Sequence, residues 1–211
     1  MTLGEIKVEA LRMMFVDTVT DYESEDLEEL LDDDSCRDYI VNMPGAINRC
    51  FSDLESRSIV PEKRLVLTQA EGEIYGGRAR YELPLLAPDF MKLERVIRED
   101  ENGGYDGSVE YMREGNSIVL KGLSEGERYV MIYRPRIDRI RAYTENNTNI
   151  ALPDNIAALI PYFIKSELFR ADEPDEAQEA RNWYDASLSE LITDEEGVQR
   201  RVKSVYSPPE V

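Results

Sequence analysis

The cluster of cations between residues 129 and 141 is the part of the sequence whose residue types most suggest chemistry. It alternates aromatic and basic side chains and consists of Tyr129, Tyr133, Arg134, Arg136, Arg139 and Arg141. Such an alternation can stack bases and bind phosphates. The chain has 25 Lys and Arg against 44 Asp and Glu, and its net charge of −19 repels nucleic acid. We therefore expect these arginines to form salt bridges within a strand or to contact an acidic neighbour.

Other catalytic chemistries are restricted by composition. The chain contains no histidine, which removes Ser-His-Asp and Cys-His triads and histidine-ligated metals. Cys36 and Cys50 would lie about 21 Å apart on one helix, too far for a disulfide, and are predicted to be buried thiols. With 44 acidic residues, chance carboxylate pairs are expected, so no pair identifies a catalytic site. We predict no catalytic residue, no cofactor, no metal and no enzymatic activity.

The acidic residues are concentrated near the two ends of the chain. Residues 18–34 are rich in Asp and Glu and poor in apolar residues, which predicts an exposed acidic connection. A calcium loop would need alternating Asp or Asn ligands, a central Gly and a closing Glu at the required offset. The segment lacks that pattern, so we interpret these acids as a solvated surface.

Two amphipathic helices are predicted before residue 57. Thr2 and Glu5 have the spacing of a capping box, and apolar residues then recur at helical intervals to about residue 15. A second stripe is spaced by three and four positions and comprises Cys36, Ile40, Met43, Ile47, Cys50 and Leu54. This stripe predicts one long helix that ends near Ser56, kinked where Pro44 and Gly45 interrupt it.

The periodicity changes between residues 64 and 143. Here apolar and polar residues alternate, β-branched and aromatic residues are frequent, and glycine-containing turn signals separate the apolar segments. The pattern predicts a small antiparallel β module of five or six strands.

Helical periodicity returns after Pro153. Pro161 is expected to bend the first of two C-terminal helices, and Asp172 with Pro174 predicts the start of the second. The second helix has an apolar stripe at Ala177, Ala180, Tyr184, Leu188 and Leu191. Trp183 lies beside this stripe and is assigned to packing. Residues 193–211 contain Pro208-Pro209 and are predicted to be an extended tail.

The predicted fold class is α+β: a mainly α-helical bundle interrupted by a small antiparallel β insertion module, with an extended C-terminal tail. The helices on either side of the insertion are expected to pack together, because neither half has enough apolar surface to fold alone. The predicted divisions are 1–63 for the N-terminal helices, 64–143 for the β module, 144–192 for the C-terminal helices and 193–211 for the tail.

The order of these elements resembles that of the head-tail connector adaptors of tailed bacteriophages and prophages. The resemblance spans about residues 1–192. It rests on residues 39–48 (YIVNMPGAIN), 129–135 (YVMIYRP), 152–154 (LPD), 160–163 (IPYF) and the helix 177–191. It implies a virion structural protein, a helical-bundle adaptor that forms a ring, usually of twelve copies, beneath the portal of the capsid.

The resemblance also implies the partners and the location of the protein. A homo-oligomeric ring would bind the portal protein on one face and a downstream neck or tail completion protein on the other, and DNA would pass through as cargo. The ring would lie in the neck of the virion, after synthesis in the cytoplasm of the bacterial host. A negatively charged lumen would keep passing DNA from adhering.

Two sets of residues are assigned to contacts within such an assembly. The C-terminal segments of adaptors reach the portal, so Val205, Tyr206 and Pro208 are the expected portal-binding residues. The arginines expected at the subunit interface, opposite residues 18–34 of the next copy, are Arg134, Arg136, Arg139 and Arg141. The alternative is that these arginines pair within their own chain with Glu127, Asp138 and Glu145.

Two other classes of function stay open on the sequence. An acidic DNA mimic, or another assembly or inhibitor protein, would carry carboxylates in duplex-like rows along one face. An enzyme that uses two carboxylates would have a deep pocket and one carboxyl group with a strongly raised pKa. No apolar segment is long enough to span a membrane and no basic N-terminal segment precedes an apolar core, which predicts a soluble intracellular protein without membrane contact.

Overall fold

The chain divides into two compact units. A helical unit combines Met1–Ile59 with Asp138–Val211, and a β unit is formed by Val60–Ile137. The sequence analysis places the β module at 64–143. The computed structural model describes residues 1–15, 19, 22–99, 104–122 and 127–205, with side chains at all of these except 70, 106, 108 and 193–205.

The secondary-structure elements follow one another in a helix, strand, helix order. The described helices are α1 (Leu3–Met14), α2 (Leu27–Leu30), α3 (Asp34–Ser56), α4 (Leu83–Leu86), α5 (Asp154–Ala157), α6 (Ile160–Leu168) and α7 (Pro174–Val205). The described strands are β1 (Lys63–Leu67), β2 (Glu73–Tyr75), β3 (Arg78–Glu82), β4 (Phe90–Glu99), β5 (Tyr105–Ser108), β6 (Met112–Glu114), β7 (Ser117–Lys121) and β8 (Arg128–Pro135). All helices except α4 belong to the helical unit.

Side-chain caps determine where the first two long helices begin. The Thr2 hydroxyl accepts from the Glu5 backbone N–H, and the Glu5 carboxylate accepts from the Thr2 N–H, so the predicted capping box of α1 is confirmed. Asp33 caps α3 by accepting from the Ser35 N–H at 2.8 Å. The helix then runs through Pro44 without interruption to Ser56.

The core of the helical unit is built around α6, which packs against α1, α3 and α7. The apolar stripe predicted for α3 is buried, which confirms the period assigned to that helix. Cys36 and Cys50 are free, buried thiols, as predicted. Pro161 does not bend a continuous helix, because the chain breaks after α5 and Pro161 lies in the first turn of α6.

The β unit contains two four-stranded antiparallel sheets among its described residues. One sheet has the order β1-β8-β4-β5 and the other β2-β3-β7-β6. Tyr129, Met131 and Tyr133 of β8 share one core with Tyr81 of β3 and Ile118 of β7. The Tyr81 hydroxyl donates to the Thr68 carbonyl at 3.2 Å, which satisfies the polar end of a fully buried ring.

Two glycine-containing turns set the register of the second sheet. Gly76 and Gly77 both have positive φ and join β2 to β3 in a two-residue turn, the pattern of a type I′ hairpin. Gly115, with φ 60°, begins the turn from β6 to β7. An L side chain is strained at these backbone angles, so glycine is the residue that the turns require.

The prediction of a mainly helical bundle with a small β insertion is wrong. Val60–Ile137 makes up over a third of the chain and closes two sheets around a core of its own. Eight strands are described, against five or six expected. The missed strands β2, β5 and β6 have only three or four residues each, too few to show an alternating pattern.

The prediction of an extended tail from residue 193 is also wrong for its first part. The backbone of α7 remains helical to Val205. Residues 193–205 contain Glu, Gln, Arg and Lys, which favour helix without an apolar stripe, and the sequence analysis followed the stripe alone.

Candidate assembly surfaces

Two arginines of the predicted interface form ion pairs inside their own units. In the β unit, the Arg134 guanidinium lies 2.8 Å from Glu94 and 3.5 Å from Glu62, and it donates to the Val60 carbonyl at 2.8 Å. In the helical unit, Arg139 lies 2.6 Å from Glu55. These acids differ from Glu127, Asp138 and Glu145, the partners considered in the sequence analysis. Both arginines therefore stabilise the unit in which they lie.

The other two arginines of the cluster are exposed. The Arg136 backbone N–H donates to the Asp89 carbonyl, while its guanidinium makes no hydrogen bond or ion pair within the described part of the chain. Arg141 donates to the Tyr143 hydroxyl at 2.5 Å and lies 5.8 Å from the centre of that ring. The cluster is divided between the units, because Arg134 and Arg136 belong to the β unit and the other two to the helical unit. Its role between subunits stays a prediction.

The predicted portal-binding residues lie at or beyond the end of α7. Val205 is the last residue of the helix, and only its backbone is described. Tyr206 and Pro208 lie outside the described residues. Their contact with the portal stays a prediction.

A buried polar network attaches α7 to α3. The Tyr184 hydroxyl donates to the Asp53 carboxylate at 2.9 Å and accepts from the Cys50 thiol at 3.7 Å. Arg57 and Arg181 both form ion pairs with Asp53, and their guanidinium groups lie 5.9 and 5.3 Å from the Tyr184 ring centre. Burial raises the pKa of Cys50 to about 12 and also raises the pKa of Tyr184. These contacts hold α7 in one rotation about its axis.

With Tyr184 turned into the core, the preceding residue faces a groove on the surface of the helical unit. Trp183 is 59% exposed and stacks on Tyr162, with 6.4 Å between ring centres and 27° between ring planes. The groove has a volume of about 550 Å³, and its further lining includes Val8, Met13 and Leu159. We call it the aromatic groove.

Sequence reasoning missed the exposure of Trp183 and assigned the ring to packing. The signal was present, because the core stripe of α7 falls at 177, 180, 184 and 188, and a helix rotates about 100° between adjacent residues. A large aromatic residue just outside such a stripe lies at the edge of the buried face. Aromatic side chains in this position are common anchors of protein interfaces.

A second groove of about 790 Å³ adjoins the aromatic groove, shares Glu5 and Ser24 with it, and has a more acidic lining. Glu25, Glu28 and the exposed Val41 and Tyr143 contribute to its lining. Lys7 is 8% exposed there and donates to the Asn146 side chain at 2.9 Å. Burial lowers the pKa of Lys7 from its ordinary value.

The described part of the chain holds neither a metal-binding cluster nor a membrane-spanning helix. In residues 1–15, 19, 22–99, 104–122 and 127–205, no group of three or more Cys, Asp or Glu residues could hold a metal ion. No helix among those residues is long and apolar enough to cross a membrane. The sequence matches no protein-family model, and no curated protein matches it significantly.

Proposed function

We propose that the protein is a virion structural protein, an adaptor that forms a ring between the portal and the next neck or tail component. The observation that carries the proposal is the discontinuous helical unit, in which both ends of the chain fold together and the β unit is inserted between them. Residues 39–48 of the resemblance lie in α3, residues 160–163 begin α6, and residues 177–191 lie in α7. Three of the five segments that carry the resemblance therefore belong to helices that pack against one another, whereas residues 129–135 lie in β8 of the β unit.

The charge of the chain supports the same proposal. A ring of subunits with a net charge of −19 each would repel the DNA that passes through it. The same charge makes free subunits repel one another, so ring closure should need the portal as a template or salt to screen the repulsion. On this basis, the free protein is a monomer or a weak oligomer.

The test is to measure the mass of the full-length protein by native mass spectrometry, alone and with purified cognate portal rings, at about 0.05 and 0.5 M salt. The expected result is a monomer alone at low salt and a discrete multimer on the portal. Bovine serum albumin, another acidic protein, serves as the control for nonspecific adhesion. A protein that fails to bind the portal at either salt would contradict the adaptor function. A stable closed ring without portal at low salt would contradict the charge argument.

A further inference from the structure

The aromatic groove offers a combination of surfaces that suits an extended peptide. The stacked rings of Tyr162 and Trp183 form its apolar part. Arg12 also lines the groove, but its guanidinium is held within the chain: it donates to the Tyr22 carbonyl at 2.6 Å and pairs with Glu9 and Glu23. The Trp183 indole N–H makes no hydrogen bond within the described part of the chain. A ligand that brings apolar rings and a free carbonyl oxygen would use the aromatic surface and the indole N–H.

A polyproline II segment has those properties. It makes no internal backbone hydrogen bonds, so its carbonyl oxygens are free to accept from the groove. Proline-rich segments dock in grooves lined by aromatic residues, and they lose little conformational entropy because the helix is already formed. The chain itself contains such a sequence at Ser207-Pro208-Pro209, just after the end of α7.

Charge favours the same pairing. The segment that leads to the two prolines carries Arg200, Arg201 and Lys203, a basic stretch in a chain of net charge −19. The aromatic groove is lined by Glu5, Glu9 and Glu23 and by two cations, the Met1 ammonium and Arg12, which pairs with Glu9 and Glu23. Acids therefore outnumber cations at its rim by one. Opposite charges at the rim of a docking site increase the rate of association and favour one orientation.

The reach of the chain excludes docking within one molecule. Along α7, Val205 lies about 33 Å beyond Trp183, at 1.5 Å per residue over 22 residues. A fully extended chain from Val205 to Pro209 spans at most about 14 Å. Even if the chain turned straight back after Val205, Pro209 would stay roughly 19 Å short of Trp183 along the axis of α7. The prolines therefore cannot reach the groove of their own copy, and any such docking joins two copies.

We propose that residues 206–209 of one copy dock as a polyproline II segment in the aromatic groove of a neighbouring copy. The contact joins two different surfaces of the same protein, and head-to-tail contacts of this kind form a ring when the rotation between neighbouring copies closes. The role of this contact in closing a ring rests on the proposed function. The docking of residues 206–209 in the groove requires no portal. It assigns the Pro208 region to a neighbouring subunit instead of to the portal.

The single tryptophan of the chain provides the test. A peptide of residues 200–211 contains no tryptophan, so in a titration of the full-length protein the emission reports Trp183 alone. The expected result is a saturable blue shift of Trp183 emission. A control peptide with Pro208→Ala and Pro209→Ala should bind at least tenfold more weakly. No shift, or equal shifts with both peptides, would overturn the proposal.

Variants of the full chain extend the test to the groove. Tyr162→Ala removes half of the aromatic stack and should weaken peptide binding at least tenfold, while Tyr143→Ala, an exposed tyrosine outside the aromatic groove, should leave it unchanged. Equal binding by both variants would overturn the proposal. If Tyr162→Ala unfolds, the comparison of the two peptides on the unsubstituted protein decides, and equal binding of both peptides would overturn the proposal.

The outcomes separate this proposal from the proposed function. A ring on the portal without peptide binding by the free protein would overturn the docking and leave the adaptor function standing, with the tail assigned to the portal. Peptide binding without any association with the portal would overturn the adaptor function and leave the docking standing.

Discussion

At the scale of single residues, the Tyr184 hydroxyl is the most constrained polar group of the helical core. It links Cys50 on one side to Asp53 on the other, and the ring is fully buried. Hydrogen bonds to charged groups contribute about 1.5–3 kcal/mol each. Tyr184→Phe should therefore lower the free energy of unfolding by about 2 kcal/mol in urea titrations.

Tyr39→Phe is the matched control for that substitution. Tyr39 also donates to a carboxylate, that of Asp172 at 2.7 Å, but this hydrogen bond is exposed to solvent. Water replaces the lost partner there, so the loss should stay below about 1 kcal/mol. Equal losses for the two variants would contradict the assignment of Tyr184 as the stronger link.

The buried thiol predicts how stability responds to alkaline pH. Burial raises the pKa of Cys50 from 9.0 to about 12, so the folded state keeps a proton that the unfolded state loses first. The contribution of the protonated Cys50 thiol to the free energy of unfolding is complete below pH 9. It is lost as pH rises from 9 towards 12, by up to about 1.4 kcal/mol per pH unit. Urea titrations between pH 8 and 10 should show this loss, and Cys50→Ala should flatten it.

Ser166→Ala is the control for the pH dependence, because it removes a buried group of similar size that does not titrate. Its hydroxyl donates to the Phe163 carbonyl at 2.8 Å. The variant should lose the same free energy at every pH and keep the alkaline slope. A slope that Cys50→Ala leaves unchanged would show that other groups cause it.

At the scale of elements, the same substitution should have opposite effects in a turn and in a helix. Gly77 has φ 77° in the β2–β3 turn, and a Cβ there would meet nothing within 4 Å, so Gly77→Ala introduces backbone strain alone. We expect Gly77→Ala to lower the free energy of unfolding by about 1 kcal/mol. Gly45 lies inside α3, where a Cβ would meet only Arg49 at 3.6 Å. Gly45→Ala should increase the free energy of unfolding by about 0.5–1 kcal/mol.

Urea unfolding followed by circular dichroism measures both changes. Far-UV signals near 222 nm report mainly the helices, and tyrosine signals in the near-UV report the buried rings of both units. Changes of the same sign in the two variants would contradict the backbone argument.

The elements also show how far sequence reasoning extends. Long helices with apolar residues every three or four positions could be predicted, because α3 displays its core stripe over about five turns. Short edge strands such as β2 could not, since three residues carry no period. The helical end of α7 was missed because its residues favour helix through propensity and carry no core stripe.

The ion-pair partners of the arginines were harder to predict from the sequence than the helices and strands. Arg134 pairs with Glu94 and Glu62, which are 40 and 72 residues away in the sequence. Only the pairing of β8 with β4 brings Glu94 close, and that register is a property of the whole sheet. The partners expected from the sequence, Glu127, Asp138 and Glu145, are acids close to Arg134 in the chain. Strand pairing instead brings Glu94, a residue distant in the sequence, next to Arg134.

At the scale of the whole molecule, the arginine cluster allows internal stability to be separated from assembly. Arg134 is largely buried and paired, whereas the Arg136 guanidinium is exposed and makes no ion pair among the described residues. Arg134→Glu would place a third carboxylate beside Glu94 and Glu62, and it should lower the stability of the β unit by about 2–4 kcal/mol. Arg136→Glu should change stability by less than about 0.5 kcal/mol.

Assembly on the portal should respond to Arg136→Glu if this arginine contacts an acidic segment of the next copy. A single exposed pair contributes only about 0–1 kcal/mol, but a ring repeats the contact at every subunit, so the small energies add around the circle. The expected result is fewer complete rings per portal by native mass spectrometry at low salt, with an unchanged melting temperature. The deficit should shrink at high salt, because screening weakens the repulsion of the new carboxylate. Complete rings at both salt concentrations would remove Arg136 from the subunit interface.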